Sequence, residues 1–171
     1  MALAMLLATL LAVAEGTSAQ PATPPPTLVS CPTQVEPLTA ALLTDLPSYA
    51  NRVVQRSRTL ASGRAQTYVI LAGRAEFEPL PVYRDDPSTE QVFFTTLEQV
   101  FTETGVRSQQ HFHWLFLTQT PEGWHLVALL TRFGESNPAL EPLPPRESSN
   151  GVVGQAVQLW LRDCRAGTVR R

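Results

Sequence analysis

Residues 111–133, HFHWLFLTQTPEGWHLVALLTRF, decide what kind of fold this chain adopts. Two runs rich in aromatic and aliphatic residues flank Thr120-Pro121-Glu122-Gly123. Proline pre-sets φ at the second position of a type I turn, and glycine accepts the left-handed conformation of the bulge that follows such a turn. The segment therefore reads as an antiparallel hairpin with strands over 110–119 and 124–133. With a bulge at Gly123 that lets Thr120 oppose Trp124, Gln119 faces His125 and His113 faces Thr131. His111, His113 and His125 then share one face with Leu115, Leu117, Val127 and Leu129. Phe112, Trp114 and Phe116 share the other with Leu126, Ala128 and Leu130, and this second face reads as core. A helix is expected over much of the first face too, which leaves His111 and His113 at the sheet's rim.

Two more strands precede the hairpin. QVFFTTLEQVFTE (91–103) is one, and QTYVILAGRAEFE (66–78) is another, with Gly73 as a bulge or bend. Proline and aspartate mark 79–90 as a loop, and proline marks 134–147 as another. Neither a repeat nor a strand–helix alternation occurs, so the strands are expected to form an antiparallel meander of about four.

Helical spacing lies outside the strands. Leu38, Ala41 and Leu42 share a stripe that begins at Glu36-Pro37 and runs to about residue 44. Pro47 reads as an interruption that starts a second helix, with Asp45 as its cap and Tyr49, Ala50, Val53 and Val54 inward. At the other end Ser148-Ser149-Asn150 offer caps for VVGQAVQLWLRDC, whose Val153, Val157, Trp160 and Cys164 recur at helical spacing. The expected fold is α+β: the meander sheet flanked by N-terminal helices and a C-terminal helix. It forms a single domain over 34–165, with a C-terminal tail over 166–171.

The start of the chain speaks to destination. MALAMLLATLLAVA is an apolar run, followed by small residues, and reads as a signal peptide over 1–19 cleaved after Ala19. It is too short for a bilayer core of about 30 Å, so no integral membrane span is expected once it is removed. No Arg or Lys precedes it, so the natural start is expected either here or further upstream. Residues 20–33, QPATPPPTLVSCPT, form a proline-rich tether. Leu28-Val29-Ser30-Cys31 matches a lipobox pattern, but the tether separates it from the apolar run. The second cysteine, Cys164, favours the other fate, a Cys31–Cys164 disulfide in an oxidising compartment. Export to the periplasm or thylakoid lumen is the expectation; a lipid anchor on Cys31 or an uncleaved signal is the alternative.

Composition removes several classes of activity. The 13 basic residues nearly balance the 15 acidic ones, so nucleic acid and anionic membrane are not expected partners. All the basic residues are Arg, which excludes Schiff-base lysines and the phosphate-loop lysine.

Candidate chemistry centres on His111 and His113. Two apart on a strand, they point the same way about 7 Å apart, a spacing that suits a metal or a ligand. His125 lies about 20 Å along the strand from His113, far beyond zinc bonds of about 2.1 Å. Glu98 would join the histidine face in one strand register and not in the other. The histidine pair alone therefore stands as a candidate ligand-binding site, with no metal or cofactor assigned. Gly134-Glu135-Ser136-Asn137-Pro138 lacks the second glycine of a nucleophile elbow. Asp85-Asp86 reads as solvated, and Gly151 and Gly154 read as packing glycines.

QVFFTTLEQVF, HFHWLFLTQTPEGWHLVALLTRFG and SSNGVVGQAVQLWLRDCRAG resemble segments of small exported cyanobacterial proteins of unknown function. The resemblance spans roughly the last half of the chain. It implies an envelope or lumenal setting and transfers no activity or site residue. The expected function is a non-enzymatic exported domain that binds an unknown protein or small molecule. A metal-dependent or hydrolytic enzyme centred on His111 and His113 is the alternative.

Overall fold

The computed structural model describes residues 30–58, 66–78, 88–134 and 143–169. The segment read as a signal peptide, most of that read as a tether, and Asp85, Asp86 and Ser136 lie outside them. Helix α1 (Val35–Arg58) is followed by β1 (Gln66–Leu71), β2 (Thr89–Thr102), β3 (Gly105–Thr120), β4 (Gly123–Phe133), β5 (Arg146–Glu147) and α2 (Val152–Arg165). The strands pair in chain order as one antiparallel sheet, so the fold is α+β with five strands. The fifth is two residues long and lies in the segment read as a loop, where Arg146 and Glu147 pair with Thr131 and Leu130.

β3 is longer than the sequence pattern indicates, while β2 starts inside the segment read as a loop and ends about where expected. Their hairpin closes at Glu103-Thr104, and Gly105 takes a φ of +140°. Arg107, Ser108 and Gln109 are paired there, though polar and largely exposed. Where neither face of a ladder is buried, no apolar alternation marks it.

Pro47 does not break α1. The missing amide costs the helix one hydrogen bond. On both sides of the proline, however, Leu38, Leu42, Leu46, Ala50 and Val53 continue a single buried stripe at helical spacing. Two short helices would have to bury those residues separately. Asp45 therefore lies inside the helix and not at the start of a second one, and its Oδ2 accepts the indole N–H of Trp160 on α2 at 2.8 Å.

The β3–β4 hairpin corrects the expected faces. Thr120 pairs with Gly123 and Thr118 with His125, so the bulge is not in the turn. The register shifts instead at Val127, between Leu117↔Leu126 and Phe116↔Ala128. Above the shift His113 does face Thr131. Below it, side chains change sides: His125 leaves the face of His111 and His113, while Trp124 and Leu126 join it. Both helices pack on that face, where Val69, Val92, Phe94, Leu115, Leu117, Trp124 and Leu129 belong to one core with the helices' apolar stripes. The aromatic side, Phe112, Trp114 and Phe116, faces away from the helices. In the hairpin alone the histidine face looks too polar to be core, but in the sheet both ring nitrogens of His113 have hydroxyl partners. His111 and His113 are accordingly buried and not at a rim.

Groups from outside the strands bond the backbone on both sides of the sheet. Asn51 on α1 accepts the Val69 N–H at 2.8 Å and donates to the Val69 carbonyl at 3.0 Å, on the outer edge of β1. Beyond β5, Ser149 Oγ accepts the Leu129 N–H and the Ser148 N–H donates to the Leu129 carbonyl. The two serines thus serve β4 and not α2, whose N-cap is Gly151 without a side-chain bond. Gly154 lets this loop fold over the helix start: a Cβ there would lie 2.2 Å from the Ser149 carbonyl oxygen. Gly73 plays the expected bulge role. Ladder pairing stops at Leu71, resumes as a single bridge at Glu76, and leaves Gly73 packed against the Thr95 hydroxyl.

Cys31 and Cys164 form a disulfide across 133 residues, with their Cα atoms 5.0 Å apart. A sulfur so used cannot also carry a lipid thioether. The neighbouring Pro32 carbonyl accepts the Trp124 indole N–H at 3.0 Å, so the end of the tether is strapped to the domain. At the other end, Val169 is buried in the core, so the segment read as a tail is partly structural. Among the described residues no helix is long and apolar enough to cross a membrane.

Candidate functional site

β2, β3 and β4 bring polar side chains together under the helices. Phe94 lies opposite His113, Thr96 opposite His111, and Thr131 opposite His113 on the other side. His113 is 1% exposed and stacks on Phe94 with ring centroids 4.9 Å apart. Its Nε2 is 2.8 Å from Thr96 Oγ1 and its Nδ1 is 2.9 Å from Thr131 Oγ1. Thr131 Oγ1 in turn lies 2.6 Å from Ser148 Oγ, which donates to the Leu129 carbonyl at 3.0 Å.

The proton positions in this chain follow from its last member. A carbonyl only accepts, so the Ser148 hydroxyl proton points to Leu129. Thr131 must then donate to Ser148, His113 Nδ1–H to Thr131, and the Thr96 hydroxyl to His113 Nε2. His113 is thereby fixed as the neutral Nδ1–H tautomer. Burial, with a smaller contribution from nearby His111, pushes its pKa down from 6.5 to about 3, which agrees with a neutral ring.

His111 is placed differently. It is 4% exposed and meets the Phe133 ring edge-to-face at 5.0 Å. Neither ring nitrogen has a hydrogen-bond partner among the described residues. Glu98 Oε1 is 3.2 Å from His111 Nδ1, inside ion-pair range but off the direction a ring N–H would take. The pairing Glu98↔Gln109 settles the register left open by the sequence: Glu98 stands on the histidine face.

His111, His113 and Glu98 are therefore gathered, and His125 is not. Gathering does not make a chelate, because each nitrogen of His113 is already committed to a threonine. Among the described residues no group of three His, Cys, Asp or Glu side chains could hold a metal ion. Sequence reasoning missed Thr96, Thr131 and Ser148. The sequence reading did place Thr131 opposite His113, though through a bulge at Gly123; in the structure the bulge at Val127 sets that pairing.

No family model matches the chain, and neither a curated protein nor a solved structure is significantly similar to it.

Proposed function

We propose that this is an exported, disulfide-closed domain that acts by binding another protein or a small molecule, and not by catalysis. The observation that supports it best is the hydrogen-bond chain through His113. On the strand face where histidines concentrate, the one with the strongest contacts is spent on joining β2, β3, β4 and the Ser148 loop. A base or ligand needs a free lone pair facing an open site, and His113 offers neither. The disulfide supports an oxidising compartment, either the periplasm or the thylakoid lumen of a cyanobacterium.

A second reading, a metal-dependent or hydrolytic enzyme, is favoured by the 3.2 Å approach of Glu98 to His111. Metal analysis of the purified, disulfide-bonded chain separates the two. The binding reading expects no stoichiometric zinc, copper or iron. Stoichiometric metal that disappears in His113→Ala or Glu98→Gln variants would overturn it.

A further inference from the structure

Beside its buried stripe, α2 carries a polar one. Gln155, Gln158, Arg162 and Arg165 recur three or four residues apart and so lie along one side of the helix. Together with His125 and Leu126 of β4, Leu159 of α2 and Arg56 from the end of α1, that side lines a cleft of about 690 Å³.

Charge sets the cleft apart. Arg56, Arg162 and Arg165 line it, and no acidic side chain does among the described residues. Arg56 makes no ion pair among those residues. Arg165 Nη1 donates to the Trp124 carbonyl, and its methylenes cover Gly123, where a Cβ would meet Arg165 Cγ at 2.9 Å. Its guanidinium is therefore held in place with donors to spare. Arg162 is paired with Asp163 at 2.8 Å. A chain of net charge −2 thus concentrates positive charge at one concavity. Guanidinium forks match carboxylate and phosphate oxygens, and the volume falls in the range of small-molecule sites.

We propose that this cleft binds a small organic anion, its carboxylate or phosphate set against the arginines and its apolar part against Leu126 and Leu159. The assignment rests on the binding reading above and names the ligand class. Octanoate, octyl phosphate and uncharged 1-octanol are titrated into the disulfide-bonded chain and followed by amide chemical shifts. The expected result is saturable binding of at least one anion, more than tenfold tighter than 1-octanol, with shifts at Leu126 and Leu159. Preference between the two anions identifies carboxylate or phosphate as the source. Arg56→Gln and Arg162→Gln together are expected to weaken binding about tenfold without moving the melting temperature, since both side chains are on the surface. The proposal is overturned by no saturable binding of either anion at millimolar concentration, by anion binding indifferent to the double substitution, or by 1-octanol binding equally well. The last would leave the binding reading standing, whereas the metal analysis strikes that reading independently. Binding of polyglutamate in place of both small anions would also overturn it.

Discussion

Burial holds the His113 imidazole neutral to about pH 3, against an ordinary value of 6.5, and this links the fold to pH. For a base whose folded pKa is depressed, the folded state binds fewer protons than the unfolded chain below pH 6.5. Its contribution to stability is intact above 6.5 and falls away as pH drops towards 3. At pH 5 the loss from this group is about 2 kcal/mol, at about 1.4 kcal/mol per pH unit. Urea unfolding at pH 7 and pH 5 measures it, and His113→Gln should remove most of the difference while lowering stability at both. An unchanged difference in the variant would assign the effect elsewhere. The pairing of His113 with Thr131 was anticipated in the sequence, but from a bulge placed at Gly123; the structure reaches the same register through the bulge at Val127. The fate of His125 was not, because a bulge at Val127 leaves no trace in a run of aliphatic residues. A helix over the histidine face was legible from Leu115, Leu117 and Leu129, but the burial of His113 was not, because its hydroxyl partners come from two neighbouring strands.

Elements were more legible than their ends. The strands and α2 follow their apolar periods, and the fold class follows from them. Pro47 misled because a local rule was weighed against a stripe that crosses it: residues 38, 42, 46, 50 and 53 keep one helical phase. Tertiary burial outweighs a lost hydrogen bond there. The same length of helix gives α1 a second task that periodicity cannot reveal, since Asn51 bonds both backbone groups of Val69 at the outer edge of β1. An edge strand with free N–H and C=O groups is a template for another chain. Asn51→Ala is expected to cost about 1–2 kcal/mol and to promote self-association. Urea midpoints, and light scattering over a range of concentrations, test the two effects. A variant as stable and as monodisperse as the parent would show that this edge needs no closure.

At the scale of the molecule, the Cys31–Cys164 bond joins the approach to α1 with the end of α2, and those are the two helices that cover the sheet. Cross-linking residues so far apart removes loop-closure entropy from the unfolded chain, with a limit of about 5 kcal/mol on the chain-entropy model. The strap has other attachments, including the Trp124 indole bond to the Pro32 carbonyl, so reduction need not unfold the domain outright. The Cys31→Ser, Cys164→Ser double variant is expected to lose about 3–5 kcal/mol against guanidinium, mostly through its unfolded state. Its sheet and helices should be retained at neutral pH in the absence of denaturant. Adding reductant to the parent should reproduce the loss and leave the variant unmoved. If reductant shifts neither, the native molecule holds two thiols, and the physical case for an oxidising compartment goes with the bond. Mass measurement of the unreduced native chain decides that directly, because a disulfide leaves it two hydrogens lighter and a lipid on Cys31 would leave it far heavier.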